Sequence, residues 1–471
     1  MSSGYLELDM DLERAKVLKK EEHIKHIKSL VREFSVGGGD VRVPERWLIE
    51  LGIGWVLHLP LADAASAVQT YDALMTWIRA LAQVVEIIGY TEPLFPEQAV
   101  NQLSNIFEEE EQVLGQLQFA KFFQEAMFKM LPFVDWIVSE ALVASNGMEP
   151  PYENLSTLLG VHGALSKALP QIQLASSLPQ IQLASSLLLS AEVVRIQHDA
   201  VGLLVAKEAK VVGAIWSTMK EIRNRILAPM EDNGDDSSRT ATLEGSSDIH
   251  KATRSLISYI ELLRTNYSSL APIVSVNYQS HNAAVPPLDS MIIGIASCLE
   301  EKLAEETGSF PDRSLKFLFL FNNSYLISQK VDPLWSVIEF NPVTANNESF
   351  LSFIKAHQEA TIRKVQSYME SYLQASWVPV LSCLFNNPTP LSLAKNKNYS
   401  PLAKFESEFQ KVYTTQKLWK VPDPGLRKTL RKAINMKIMP DYTKYIEDNN
   451  ITTKRIAPWE LEKMLQELFE G

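Results

Sequence analysis

Cysteine is nearly absent: Cys298 and Cys383 are the only two in 471 residues. Two isolated thiols cannot build a disulfide framework and make a poor zinc site. Such sparse use fits a reducing compartment. Long apolar runs are missing as well. None reaches 18 uninterrupted residues, and the best candidates, near Leu51–Leu59 and Leu187–Val194, are broken by Gly, His, Ser or Glu. No membrane span is expected. The opening stretch Met-Ser-Ser-Gly-Tyr-Leu-Glu-Leu-Asp-Met-Asp is acidic without an apolar core, and Ser2 stands where a myristoylation glycine is needed. Neither a signal peptide nor an N-terminal acyl anchor is expected. A positive excess is lacking too: Lys plus Arg is 45, Asp plus Glu is 56, and the net charge is −11. That balance excludes a general nucleic-acid binder and would repel the chain as a whole from an anionic membrane. The expectation is a soluble cytosolic protein.

The motifs of common catalysts are also missing. There is no Gly-x-Gly-x-x-Gly, no Gly-x4-Gly-Lys-Ser/Thr, no Gly-x-Ser-x-Gly and no His-Glu-x-x-His, so the phosphate loops, nucleophile elbow and zinc helix that those spacings build are not encoded. His23 and His26 stand at i, i+3, a spacing that metal ligands use, but Glu21, Glu22, Lys25 and Lys28 around them favour a solvated charged face. Glu108–Glu111 is four carboxylates in a row. A catalytic pair needs two environments that separate two pKa values, and neighbours on an exposed helix share one. The chain reads as a non-enzyme with no cofactor and no metal.

What is present is helical periodicity. Hydrophobic residues make up 46% of the chain, enough for a substantial core. Residues 8–34 read as a charged amphipathic helix stopped by Gly37-Gly38-Gly39, where the backbone is freest. From about 67 to 226 one helix follows another. Tyr71, Leu74, Trp77, Ile78 and Leu81 share one face, and Phe119, Phe122, Phe123, Met127, Met130 and Leu131 repeat the pattern. Leu-Pro-Gln-Ile-Gln-Leu-Ala-Ser-Ser is written twice, from Leu169 and Leu178; a single pair is too short for a solenoid and predicts a duplicated loop over 169–186. Residues 231–248, acidic and rich in Ser and Gly, predict a second loop.

Helices resume over His250–Leu270 and Asp289–Glu306. Phe317–Leu326 is compatible with a buried helix or strand, and Val337 and Ile338 between Pro333 and Pro342 with a short strand. A helix over 350–378 carries Ile362, Val365, Met369, Tyr372 and Trp377 on one face. Phe405–Trp419, a basic helix Leu426–Met439 stopped by Pro440, and Pro458–Phe469 complete the pattern. The fold class is all-α, stacked antiparallel helices.

The charge is unevenly spread. Residues 411–455 hold eleven basic side chains against Asp423, Asp441, Glu447 and Asp448, a net of +7; residues 456–471 carry −3, leaving −15 for 1–410. A block of that kind suits anionic lipid headgroups at about 1 kcal/mol per basic residue near the surface. Arg427, Lys428, Arg431 and Lys432, at i, i+1, i+4, i+5, share a helical face. Aromatic platforms are not interleaved with these charges, so nucleic acid is not an expected partner.

The C-terminal residues also resemble a known family. Phe405–Tyr413 with Thr415, Gln416 and Trp419, then Val421-Pro422-Asp423-Pro424, Leu426-Arg427, Ile438-x-Pro440-x-Tyr442 and Leu468-Phe469-Glu470-Gly471 are similar to the end of the plant exocyst seventy-kilodalton subunit family. Thr253-Arg254 with Tyr259, Leu318-Phe319-Leu320 with Asn322-Asn323, and Ala375-Ser376-Trp377 resemble its upstream motifs. The likeness covers about 67–471, after a divergent segment 1–66.

It implies an elongated rod of stacked helical bundles, with a basic C-terminal bundle over about 400–471. The implied role is an exocyst subunit that tethers secretory vesicles to the plasma membrane, cytoplasmic and peripheral at that membrane. The partners implied are the other exocyst subunits, a Rho-type small GTPase and a phosphoinositide membrane. The family's lipid-contact pair sits just before the last helix, where Arg455 and Thr452 fall, with Lys454 beside them. With the charge pattern, the candidate lipid-binding set is Arg427, Lys428, Arg431, Lys432, Lys437, Lys444, Lys454 and Arg455. Family members carry a further N-terminal coiled-coil region that 1–66 does not match, so a second implied reading is a diverged paralogue acting as an interaction adaptor in plant defence, outside the core complex.

Overall fold

The computed structural model describes residues 3–59, 70–87, 106–143, 151–176, 187–228, 247–280, 285–331, 348–385, 400–451 and 456–470. Their regular elements are all helices, joined by turns and short irregular segments; the one β-type contact among them is an isolated antiparallel bridge between Lys420 and Glu470. No helix among them is long and apolar enough to cross a membrane. The chain divides into two units, Met1–Ile222 and Arg223–Gly471.

The first unit contains α1 (Ser3–Val36), α2 (Arg42–Glu50), α3 (Thr70–Glu86), α4 (Ile106–Met130), α5 (Pro132–Val143), α6 (Tyr152–Ser176) and most of α7 (Leu187–Ile226). Gly38 and Gly39 end α1 at φ +67° and +90°, a backbone that side chains rarely adopt. The second half of α1 buries Ile27, Leu30, Val31 and Phe34. Phe34 meets Phe122 of α4 edge-on, with ring centroids 5.7 Å apart, and Trp47 of α2 packs on the same ring. The second half of α1 and α2 are therefore tied into this unit. Trp77 is fully buried and donates from Nε1 to the Met130 carbonyl at 3.0 Å. α3 lies so close to α6 that a Cβ at Gly160 would come within 3.2 Å of Leu74.

The loop expected over 169–186 is partly a helix. The first copy of the repeat continues α6 as far as Ser176, with Leu169 and Ile172 buried. Those two apolar residues stand three apart and hold the turn to the core in spite of Pro170. The second copy lies outside the described residues, as do 229–246, most of the other expected loop.

The second unit contains α8 (Lys251–Thr265), α9 (Tyr267–Asn277), α10 (Pro287–Glu306), α11 (Arg313–Val331), α12 (Glu348–Ser376), α13 (Val378–Phe385), α14 (Pro401–Gln416), α15 (Pro424–Asp448) and α16 (Pro458–Gln466). Its core is aromatic: Tyr372, Trp377, Phe405, Phe409, Tyr442 and Phe469 are fully buried. Phe317–Leu326 is helical, inside α11. The helix predicted over His250–Leu270 is broken at Asn266. The strand considered at Val337 and Ile338 lies outside the described residues. Ile362, expected on the buried face of α12, is 54% exposed, whereas Tyr372 on the same helix is at 0%. Pro440 does not stop its helix: α15 runs through it to Asp448. Pro440 lies on the exposed side, and so does Met436, whose carbonyl loses its partner. Water can satisfy that carbonyl while the opposite face keeps its packing.

Candidate functional site

α15 starts where the local chemistry requires. Asp423 caps it, its Oδ1 accepting from the Leu426 N–H at 2.7 Å, and Pro424 occupies the first turn, where no N–H is needed. Its buried residues are Leu426, Leu430, Ile434, Ile438, Tyr442 and Ile446, one every four positions. Four residues overshoot a helical turn, so the buried stripe rotates by about 40° at each step. The exposed face rotates with it.

That rotation sorts the basic residues. Lys428 and Lys432 sit opposite the core near the helix start, Lys444 sits opposite it near the end, and Lys437 flanks the buried stripe beside Ile438; all four are exposed. Among the described residues none of the four is ion-paired with a carboxylate. The two pairs differ in their neighbours. Asp441 follows Lys437 by four positions and Asp448 follows Lys444 by four, whereas no acid stands within a turn of Lys432 on its own face. The charge block expected along the whole helix is thus concentrated at Lys428 and Lys432.

Arg427 and Arg431 correct the expectation of a shared four-residue face. Both turn toward the C-terminal segment, with side chains only 21% and 14% exposed. Arg427 donates from Nε to the Val421 carbonyl at 3.0 Å and from Nη1 to Glu470 at 2.8 Å. Arg431 donates from Nε to the Leu468 carbonyl at 2.9 Å and from Nη2 to Glu470 at 2.6 Å. The Arg431 guanidinium holds the Glu470 carboxyl below its ordinary range. Three upstream cations are paired as well: Lys411 with Glu408 at 2.7 Å, Lys417 with Glu467 at 2.9 Å and Lys420 with Asp248 at 3.9 Å. Lys454 and Arg455, with Thr452, lie outside the described residues.

The other motif residues build the frame that carries α15. The Asn323 Oδ1 accepts from the His250 N–H at 2.9 Å and the Thr253 hydroxyl at 2.8 Å. Asn322 donates to the carbonyls of Ser247 and Lys420 at 2.7 and 3.0 Å. These contacts fix the chain just before α8 against the chain just before α15. In the core below, the Tyr372 hydroxyl donates to Gln416 at 2.5 Å and accepts from Trp377 Nε1 at 3.0 Å, and Gln416 donates to Ser376 at 2.9 Å. Buried polar groups joined in this way leave one arrangement of α12, α13 and α14 fully satisfied. At the far end of α15 the Tyr442 hydroxyl donates to the Ile456 carbonyl at 2.8 Å.

Sequence reasoning missed two carboxylates. Glu470 was visible only as part of a motif. Asp289 is fully buried, accepts from the Tyr267 hydroxyl at 2.7 Å, and leaves its other oxygen without a partner. Burial pushes its carboxyl up to about 6. A Ser-His-Glu grouping also occurs in the first unit. There Ser166 donates to Glu208 at 2.6 Å rather than to His162, whose Nε2 is 3.4 Å away, so the histidine is not placed to take the hydroxyl proton. Among the described residues no three His, Cys, Asp or Glu are gathered as a metal would need. His26, one half of the i, i+3 pair read as a solvated charged face, meets Glu50 at 2.8 Å on the surface.

Comparison with known proteins returns one family. The model of the C-terminal region of the Exo70 subunit of the exocyst complex matches residues 75–467. Two Arabidopsis thaliana relatives, exocyst complex components EXO70A3 and EXO70B2, are 28% and 26% identical over 50% and 47% of this chain. Those matches cover 40% and 36% of the relatives, so the similarity spans about two fifths of their length. A solved structure of S. cerevisiae Exo70 aligns over 99% of this chain and 89% of its own, at 12% identity and a TM-score of 0.36. With residues 75–467 matched, the chain belongs to the Exo70 family of exocyst subunits and is of the plant type.

Proposed function

We propose that the protein acts as a non-enzymatic exocyst subunit in the tethering of secretory vesicles to the plasma membrane, with α15 as its contact to a phosphoinositide surface. The exocyst part rests on family membership and on the naming of its relatives as exocyst complex components. The membrane part rests on one observation, the exposed Lys428–Lys432 pair, with no acid within a turn of Lys432 on that face. Such a pair, raised on a rigid helix and unmatched by internal acids, is attracted to bisphosphorylated headgroups by several-fold per charge at low salt. Lys437 and Lys444 contribute less, because Asp441 and Asp448 share their face. The partners of this reading are the other exocyst subunits, a Rho-type small GTPase and an anionic phosphoinositide membrane, with a cytoplasmic location peripheral to the plasma membrane.

Two measurements test it. Sedimentation with vesicles containing phosphatidylinositol bisphosphate is expected to fall with salt and with Lys428→Glu and Lys432→Glu; binding unchanged by both would remove the membrane part. Affinity purification from plant tissue is expected to recover the remaining exocyst subunits. Recovery of defence components without them would favour the adaptor reading instead.

A further inference from the structure

Arg427 and Arg431 converge on a single carboxylate. The Glu470 oxygens sit 2.8 Å from one guanidinium and 2.6 Å from the other. Among the described residues, two positive charges therefore face one carboxylate. Planar forks of this kind fit phosphate as well as carboxylate, and a phosphate dianion would match both arginines where one carboxylate cannot.

The placement of Glu470 is built into the fold. Phe469 has φ +66°, a left-handed conformation that a bulky residue rarely adopts. Strain of that kind persists only where the surroundings enforce it. Here the Phe469 ring is fully buried and meets Tyr372 edge-on at 6.2 Å. The turn at Phe469 reverses the chain and aims Glu470 back at α15. The arginines do not depend on Glu470 for their direction, because the Val421 and Leu468 carbonyls hold their Nε atoms. Glu470 itself is 58% exposed. It can leave the arginines without disturbing Leu468 or Phe469.

We propose that Arg427 and Arg431 form a phosphate-monoester site that the chain keeps occupied with its own Glu470, and that a bilayer headgroup replaces this carboxylate when α15 meets the membrane. The proposal rests on the membrane reading above and adds an internal competitor to it. The site adjoins the exposed Lys428–Lys432 pair on the same two turns of α15, so a headgroup held by the lysines is delivered next to it.

The test uses the full chain and three vesicle types: phosphatidylcholine alone, phosphatidylcholine with phosphatidylserine, and phosphatidylcholine with phosphatidylinositol bisphosphate at matched charge. Glu470→Gln and Glu470→Ala are each expected to bind the bisphosphate vesicles about fivefold more tightly than the parent chain, the worth of one unmasked cation. The gain on phosphatidylserine, which has no phosphate monoester, is expected to be smaller. Adding Arg431→Lys to Glu470→Gln, which keeps the charge but removes the fork, is expected to abolish the gain. Urea midpoints of the two Glu470 variants are expected to stay near the parent value, since Leu468 and Phe469 anchor the segment. Soluble inositol trisphosphate is expected to bind Glu470→Gln at least tenfold more weakly than the vesicles do; equal affinity would assign the site to a free phosphate ligand and overturn the bilayer half. If the parent chain binds but neither Glu470 variant gains, the masking is wrong and the membrane reading stands. If only the Glu470 variants bind, the masking stands and the lysine reading falls. If nothing binds, both fall.

Discussion

Arg427 and Lys428 are sequence neighbours, as are Arg431 and Lys432, yet the two rows behave oppositely. The arginines are 21% and 14% exposed and bonded to the chain's own C-terminal segment; the lysines one position on are exposed, with no carboxylate paired to them among the described residues. A rotation of about 100° per residue separates a cation paired with the chain's own C-terminal segment from one that faces outward. The difference teaches that a basic cluster in a sequence is two populations once its helix has a core side. Each row then has its own first readout, stability for the arginines that Glu470 covers and vesicle binding for the lysines.

The largest expected effect belongs to the inward row. Arg431→Ala removes the donor to the Leu468 carbonyl and one partner of Glu470. It is expected to cost about 2–3 kcal/mol, the range for hydrogen bonds of a charged group whose acceptors are left partly buried. Lys432→Ala is expected to stay within about 0.5 kcal/mol, as for most exposed substitutions. Urea denaturation of the two variants side by side checks this, and equal losses would break the comparison.

Asp289 sharpens it from the other side, as an inward charge with no cationic partner among the described residues. Its carboxyl is pushed up to about 6 by burial, and the Tyr267 hydroxyl is its side-chain donor. In the unfolded chain the group titrates near 4. Below pH 4 it is protonated in both states and costs the fold nothing. As pH rises from about 4 to 6 the unfolded chain ionises first, so stability is lost across that window, by roughly 3 kcal/mol in full for about two pKa units. Asp289→Asn keeps an acceptor for Tyr267 and removes the charge. It is expected to raise the urea midpoint at pH 7.5 and to leave it nearly unchanged at pH 4; a gain equal at both values would point to packing instead.

The legible part of this site and the illegible part divide along the same line. Helix class, the glycine stop after α1 and the i, i+1, i+4, i+5 spacing of Arg427, Lys428, Arg431 and Lys432 are local, and local pattern carries them. The direction in which each cation turns is not local. It depends on Glu470, 43 residues beyond Arg427 and 39 beyond Arg431, and on the four-residue step of the buried stripe, which swings the exposed face as α15 proceeds. The helix was expected to end at Pro440 for the same reason: the rule for proline is local, while the exposure of Met436 and Pro440 that relaxes it is set by packing against the rest of the unit. The motifs that carried the family resemblance proved to be framework, since Thr253, Asn322, Asn323, Trp377 and Gln416 each make internal hydrogen bonds, Asn322 through its amide nitrogen. Recurring residues of that kind identify a fold more directly than they identify its contact surface.

Within the outward row, the ends of α15 should also differ. Replacing Lys428 and Lys432 together by Ala is expected to weaken binding to bisphosphate vesicles by about 2 kcal/mol, close to thirtyfold, at roughly 1 kcal/mol per charge. Replacing Lys437 and Lys444 is expected to weaken it by less than about 1 kcal/mol, because Asp441 and Asp448 already offset them on the same face. Adding Asp441→Asn and Asp448→Asn to the parent chain supplies the converse. Removing those acids exposes the full charge of Lys437 and Lys444 and is expected to raise vesicle affinity by a few-fold, an effect that 0.5 M salt suppresses. If the two lysine pairs weaken binding equally, local compensation by the aspartates is not what separates them, and the contact surface extends along the whole helix.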